Sequence, residues 1–268
     1  MRIACLQISA NADWRRNLDK VQELVRQALR RRAEVIALPE VFYYRGPASR
    51  LNYLARQVTP HVIGEFKNLA AVHHTAFLLG SVYEKSPYRG KYFNTSILIS
   101  EQGEVVARYR KIHLFDISMK GKAVVRESRH VASGKHIACG NIFGIPVGLT
   151  VCYDLRFPEL FRTLSRRGCH IIFVPSNFTY PTGKAHWEVL LRARAIENQV
   201  FIVAPAQTGR HPETGIRSFG TSLVVDPWGT VLARGRRHGQ GVVMASLDFG
   251  FLGTLRRSFP VLEHRRLF

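Results

Sequence analysis

Acidic residues are scarce in this 268-residue chain: 19 Asp and Glu stand against 39 Lys and Arg, a formal net charge of +20. So basic a balance draws anionic small molecules and could also give loose nucleic-acid adhesion. The arginines are dispersed, however, as in Arg15-Arg16, Arg30-Arg31-Arg32, Arg166-Arg167, Arg236-Arg237 and Arg265-Arg266. Few aromatics interleave with them as a single-strand groove would require, so no specific nucleic-acid partner is expected. Cysteine is rare too. Cys5, Cys139, Cys152 and Cys169 are widely spaced with no Cys-x-x-Cys pair, which argues against a disulfide framework or a zinc site. No apolar run approaches the ~20 residues of a membrane helix. Met1 to Ser9 lacks a signal peptide's long apolar region and cleavage site and reads as a first strand. A cytoplasmic protein with no membrane partner is the expectation. Repeats, low-complexity tracts and linkers are missing as well, so residues 1–268 are expected to form one domain with ample length to bury a core.

What is present alternates between strand-like and helix-like segments. Asp13 is placed to cap a helix from about Trp14 to Arg32, with Leu18, Val21, Leu24, Val25, Ala28 and Leu29 on one face. Val35 to Leu38 reads as a strand, Phe42 to Arg50 as a loop that could wall a pocket, and Val62 to His73 as a second helix. Phe77–Tyr83 and Asn94–Ser100 read as strands, and Glu101-Gln-Gly-Glu104 as a hairpin turn into Val105–Tyr109. His73-His74 is no metal site by this reading, since neighbours on a helix diverge by ~100°. Asp116 to Lys135 is polar and irregular. A strand pair around Ile142–Phe143 and Val147–Val151 precedes a helix from Glu159 to Arg167. Strand Ile171–Asn177, helix His186–Glu197 and strand Val200–Ala204 follow. A hairpin over Thr221–Ala233 and a last strand, Gly241–Leu247, end the series. Such strand–helix alternation is what crossover connections produce, and the fold class is α/β.

Three apolar runs end abruptly in reactive residues. Gly148-Leu-Thr-Val-Cys152 gives way to Tyr-Asp-Leu-Arg-Phe-Pro-Glu159; Val35-Ile-Ala-Leu-Pro-Glu40 ends in a carboxylate; Val105-Val-Ala-Arg-Tyr-Arg-Lys111 ends in an ammonium. Carboxyl ends of strands are where open α/β sheets bind ligands. Alone, Cys152 reads first as a small buried hydrophobe. With a carboxylate and an ammonium beside it, the thiol gains a base and an oxyanion partner. Ser81 and Ser176, the other conceivable nucleophiles, lack a Gly-x-Ser-x-Gly elbow.

The blocks Leu38-Pro-Glu40, Arg110-Lys111-Ile-His-Leu-Phe-Asp116 and Cys152-Tyr-Asp-Leu-Arg-Phe-Pro-Glu159, in this order and spacing, resemble the nitrilase (carbon–nitrogen hydrolase) superfamily from Ile3 to Arg266. The resemblance implies a four-layer α-β-β-α sandwich, usually dimerised, with Glu40, Lys111 and Cys152 as catalytic residues. It also implies that Glu127, otherwise a surface carboxylate among arginines, is a second active-site glutamate. Glu40 would take the thiol proton and return it to the leaving amine; Lys111 and the Tyr153 backbone amide would hold the oxyanion. No step requires a cofactor or a metal. The stretch from Thr179 to Gln199 with Ala204-Pro-Ala-Gln-Thr-Gly-Arg-His211 looks like the deaminated-glutathione amidase branch, whose close relative is the ω-amidase branch acting on α-keto-glutaramate. A true nitrilase or an N-carbamoyl amino acid hydrolase would use the same trio, and a non-enzymatic binding protein would not need it. The substrate is then a small amide bearing a carboxylate, for which Arg156, Lys184 and Arg210 are cationic candidates and Asn177 a donor. Arg156 also reads as a structural ion-pair partner, and Asn177 as a turn cap. Cys5, Cys139 and Cys169 sit in or beside apolar segments, so Cys152 is expected to alkylate first.

Overall fold

The apolar runs form strands and the stretches of helical spacing form helices in the computed structural model, which describes residues 1–118 and 125–267. The expected irregular segment from Asp116 to Lys135 therefore lies partly outside the described residues. β1 (Arg2–Gln7) leads into α1 (Trp14–Arg30), whose first turn is capped by the Asp13 carboxylate accepting from the amides of Arg15 and Arg16. After β2 (Val35–Ala37), α2 (Leu51–Tyr53) runs through a π-helical turn (Leu54–Val58) into α3 (Thr59–His73). This helical run starts at Leu51 rather than near Val62, because Leu51, Leu54 and Val58 extend its buried face. The wide turn ends two residues before Pro60, which has no amide hydrogen for a regular helix bond. β3 (Ala76–Lys85), β4 (Tyr92–Ile99) and β5 (Val105–Arg110) follow as a meander. A small pair, β6 (Asp116–Ile117) with β7 (Val125–Arg126), leads to the hairpin of β8 (Cys139–Ile142) and β9 (Ile145–Leu149).

The second half repeats the crossover pattern. α4 (Pro158–Arg166) connects β9 to β10 (Ile171–Phe173). α5 (Tyr180–Thr182), a π-helical turn (Gly183–Trp187) and α6 (Glu188–Asn198) lead on to β11 (Phe201–Ala204). β12 (Leu223–Val225), β13 (Val231–Arg234), β14 (Gly241–Ser246) and α7 (Phe249–Ser258) complete the chain. α7 has no counterpart in the sequence reading, since Gly250 and Gly253 weaken its helical signal.

Two six-stranded sheets result, in the orders β14-β1-β2-β3-β4-β5 and β13-β12-β11-β10-β9-β8. β1, β2 and β3 run parallel, as do β9, β10 and β11. Side chains alternate along each strand, and that alternation sorts them into layers. Ile3, Cys5, Val35, Ala37, Ala76 and Leu78 face the second sheet's Val147, Leu149 and Phe173. Ala4, Leu6, Ile36, Phe77 and Leu79 pack instead on Val21, Val25, Val62 and Phe66 of α1 and α3. Each Val, Leu, Ile or Phe among them, fully buried, contributes roughly 1.5–3 kcal/mol. α4 and α6 cover the outer face of the second sheet through Phe161, Leu164, Leu191 and Ala195. This is the expected α-β-β-α stack. Among the described residues, no helix is long and apolar enough to cross a membrane.

The carboxyl ends of β2 and β9, from the two different sheets, carry Glu40 and Cys152. Close backbone contact fixes the first of these. A Cβ on Gly80 of β3 would lie 1.7 Å from the Leu38 carbonyl oxygen, so only glycine lets the two strands approach here.

Candidate active site

Glu40 stands two residues beyond Leu38, at a bend the backbone holds under strain. Val41 has φ +47°, a left-handed conformation that costs a β-branched residue about 1–3 kcal/mol. Its amide donates to Ser81 Oγ at 2.9 Å, while Gln207 Nε2 donates to the carbonyls of Glu40 at 3.0 Å and Val41 at 3.3 Å. Lys111 follows β5 directly, its amide bonded to the Asn94 carbonyl of β4 at 2.9 Å. The lysine side chain is only 2% exposed, and its Nζ meets Glu40 Oε1 at 2.9 Å and Glu127 Oε2 at 2.8 Å. Asn94 Nδ2 joins the same two carboxylates, at 3.0 Å to Glu40 and 3.3 Å to Glu127, and the Phe115 amide donates to Glu127 Oε2 at 2.7 Å. The ammonium thus sits between two carboxylates. Burial pulls the Lys111 ammonium down, but Glu127 and Glu40 outweigh it and hold the proton affinity well above that of an ordinary lysine. At neutral pH Lys111 is therefore charged.

Cys152 opens a 3₁₀ turn (Cys152–Arg156) with φ +51°, so the chain reverses at the sulfur. Its own amide is bonded to the Pro175 carbonyl at 2.9 Å. Tyr153 comes next, in the first turn, where amide hydrogens have no helical acceptor. Burial foremost, then the Glu40 carboxylate, push the Cys152 thiol well above the usual thiol range; Lys111 and the Asn177 amide pull the other way. The resting sulfur is a thiol, with a carboxylate beside it.

The Asp154 carboxylate ties this turn to the strand carrying Lys111. Fully buried, it accepts from Tyr109 Oη at 2.8 Å, the Val151 amide at 2.8 Å and the His113 amide at 3.1 Å. The His113 ring contacts it at 2.7 Å and stacks on Phe157. Thiol and ammonium, on different sheets, are held in register through this one carboxylate.

The carbon–nitrogen hydrolase profile matches residues 2–257. The chain belongs to the carbon–nitrogen hydrolase family. Human deaminated glutathione amidase is 41% identical over 272 residues, covering 98% of this chain and 82% of that protein. A deaminated glutathione amidase from Synechocystis is 37% identical over 266 residues, covering 98% and 97%. The crystal structure of the Caenorhabditis elegans NitFhit protein matches with TM-score 0.92 at 36% identity, covering 99% of this chain and 65% of that one.

Within this carbon–nitrogen hydrolase, the fold brings Glu40, Lys111, Glu127 and Cys152 together, with Tyr153 at the sulfur. The remaining candidates divide. The Arg156 guanidinium lies over the rings of Tyr153 at 5.6 Å and Phe178 at 5.4 Å and contacts His186 Nδ1 at 3.2 Å. Among the described residues no carboxylate pairs with it, so the structural ion pair foreseen for Arg156 is replaced by aromatic stacking. Asn177 reaches the sulfur by its backbone amide, while its Oδ1 accepts from Ser218 Oγ at 2.7 Å. Lys184 is exposed on the π-helical turn. Arg210, exposed as well, donates to Gly215 O of its own loop at 3.2 Å. Neither is hydrogen-bonded to the four-residue cluster among the described residues. The hydroxyls of Ser81 and Ser176 are engaged with backbone. No group of three or more His, Cys, Asp or Glu there could hold a metal.

Sequence reasoning missed Asn94, Asp154, Gln207 and Arg45. Asp154 lies inside the cysteine block, and a carboxylate two residues past a strand-end cysteine is the signal that could have singled it out. Gln207 is what the Gln207–His211 segment contributes to the site. Arg45 is 4% exposed and donates to the Thr208 carbonyl at 3.3 Å; burial lowers its guanidinium to about 10, against the pull of Glu40. The thiols also bear on the expected order of alkylation. Cys139 is half-buried with its thiol lowered to about 7, whereas Cys152 is buried with its thiol raised. Iodoacetamide at neutral pH is expected to label Cys139 first, at a rate rising with pH through about 7. Peptide mapping after brief treatment checks this. First labelling at Cys152 would mean that Glu40 already holds the sulfur's proton at rest.

Proposed function

We propose that this chain is a cysteine-dependent amidase that cleaves the C–N bond of a small carboxylate-bearing amide, deaminated glutathione foremost, through a thioester. The observation carrying this reading is the buried Lys111 ammonium, clamped by Glu40 and Glu127 beside the Cys152 thiol. Cys152 Sγ attacks the amide carbon as its proton passes to Glu40. The carbonyl oxygen becomes an oxyanion, met by the Lys111 ammonium and the Tyr153 amide. As the intermediate collapses, the C–N bond breaks and Glu40 returns the proton to the leaving amine. Water then gives its proton to Glu40 and attacks the thioester carbon; the acid departs and the thiol is restored. Glu127 keeps Lys111 in place throughout. Every group these steps use belongs to the chain itself, so no cofactor is needed. A cytoplasmic setting, where thiols stay reduced, suits such chemistry.

The names of the human and cyanobacterial relatives and the +20 charge both support an anionic substrate. Of the cationic candidates, Arg156 sits on the nucleophile's own turn and has no carboxylate partner among the described residues, so it is proposed to meet the substrate carboxylate. Release of amine or ammonia from a panel of deaminated glutathione, α-keto-glutaramate, a neutral amide, a nitrile and an N-carbamoyl amino acid tests the whole reading. Deaminated glutathione should be the best substrate. Arg156→Gln should raise its KM by roughly 10- to 100-fold, as losing a charge-assisted hydrogen bond of ~1.5–3 kcal/mol implies, and leave the neutral amide nearly unaffected. Arg210→Ala should change both alike, by little. Faster turnover of α-keto-glutaramate would assign the ω-amidase reaction instead, and turnover of none would refute the amidase reading.

A homodimer is proposed as well. Val189 and Ile196 are exposed on one face of α6, with Ile196 against Gly229 beside Trp228; Trp228 and Phe259, exposed too, meet edge to face at 6.0 Å. An exposed apolar patch of this kind marks an interface. Light scattering should give twice the chain mass, and Ile196→Asp should halve it; a monomeric wild-type chain would leave the patch without that role.

A further inference from the structure

Catalysis as proposed uses one of the four cysteines. Two of the others meet. Cys169 Sγ lies 3.5 Å from Cys139 Sγ as a hydrogen-bond donor, with no covalent bond between them. Cys139 opens β8, the edge strand of the second sheet, and Cys169 lies between α4 and β10. Their meeting follows from the register. Cys139 stands opposite Gly148 of β9, and a Cβ on Gly148 would come within 3.0 Å of Leu164 of α4. With no side chain at Gly148, the helix settles close on the sheet and its end brings Cys169 over Cys139.

The two thiols differ. Cys139 is half-buried and Cys169 fully buried. The hydrogen bond from Cys169 foremost, with Arg167 also working against partial burial, brings the Cys139 thiol down to about 7. The same contact and burial push Cys169 up. An accessible thiolate with a second thiol already in contact is the arrangement found in peroxide-sensing cysteine pairs. Bonding distance is ~2.05 Å, so the sulfurs need approach by only roughly 1.5 Å.

We propose that Cys139 and Cys169 are a redox couple which a small hydroperoxide closes into a disulfide. The Cys139 thiolate attacks the peroxide; an S–O bond forms as the O–O bond breaks, leaving a sulfenic acid and, after protonation, water or an alcohol. The Cys169 sulfur then attacks the Cys139 sulfur. The S–S bond forms, the S–O bond breaks, and the departing hydroxide takes the Cys169 proton and leaves as water. Two electrons pass from the sulfurs to the peroxide, and a dithiol reductant returns them. The loop so closed, residues 139–169, contains β9, the Cys152 turn and α4. Cross-linking its ends restricts the unfolded chain, so the oxidised protein resists melting.

The test uses the full-length wild-type chain and its Cys152→Ala variant, the latter to remove a competing thiol. Each is treated with stoichiometric hydrogen peroxide and followed by intact mass, non-reducing peptide mapping and thermal melting. Expected are a mass loss of two hydrogens, a single Cys139–Cys169 peptide pair, and a melting point higher by ~5–10 °C that dithiothreitol reverses. Cys169→Ser should instead hold a sulfenic acid at Cys139 that dimedone traps, and Arg167→Met should slow the oxidation several-fold. Sulfinic acid at Cys139 without a disulfide, a cross-link between chains, or an unchanged mass would each overturn the proposal. The wild-type peptide map alone decides it should a variant fail to fold.

Discussion

Cys152→Ala is expected to abolish amide hydrolysis, with a fall of ~10⁴-fold or more, while the protein remains folded. Glu40 could still activate water, and Lys111 could still polarise a carbonyl. Without the sulfur, though, the acyl group has no covalent resting place, and an unpositioned water must attack the amide directly. Cys152→Ser should fare little better, because the hydroxyl is a weaker acid than the thiol and the same carboxylate must remove its proton. Folding should hardly suffer. Cys152 sits at φ +51°, which strains any residue with a Cβ, and its thiol is buried against a carboxylate. Removing the sulfur relieves the second of these, and Cys152→Gly relieves both, so it should melt no lower than Cys152→Ala. Amine-release assays beside thermal melts give both quantities. Residual turnover above a few per cent in a folded Cys152→Ala protein would rule out the thioester route.

How much of this was legible in the sequence follows from what each signal depends on. The ends of β2, β5 and β9 showed because a buried strand must turn polar abruptly where it leaves the sheet, and Glu40, Lys111 and Cys152 stand at those breaks. Asn94 did not show, since it lies within a strand and only the approach of Glu40 and Glu127 makes its amide a bridge. The Gln207–His211 segment touches Glu40 through Gln207, which is fully buried, while Arg210 is exposed on its own loop. Residue type draws attention to the arginine; the burial of Gln207 is invisible in the sequence. Sheet membership was also hidden. β14 is the last strand of the chain and pairs with β1, the first, which no alternation pattern encodes. The contact of Cys139 with Cys169 belongs to the same class, because a hairpin and a crossover helix create it rather than any local spacing.

Lys111→Arg should lose nearly as much activity as Lys111→Ala, although it keeps the charge. The ammonium is a compact donor, its side chain 2% exposed, between carboxylate oxygens at 2.9 and 2.8 Å. A guanidinium is a broad planar fork and cannot meet those oxygens and still aim one donor at an oxyanion. One positioned donor is worth about 2.7–4 kcal/mol in the transition state, a loss of roughly 10²–10³-fold in kcat. Lys111→Ala has a second consequence. It leaves Glu40 and Glu127 facing each other without their cation, and breaking a buried pair in this way costs about 3–5 kcal/mol. Its melting point should drop by ~10 °C or more. Lys111→Met with Glu127→Gln separates the two effects. That double variant removes one charge of each sign, so stability should largely return while turnover does not. Melting curves with kcat and KM for wild type, Lys111→Arg, Lys111→Ala and the double variant complete the comparison. Recovery of most of the rate by arginine would reduce Lys111 to a source of field, and recovery of the rate by the double variant would remove it from the chemistry altogether.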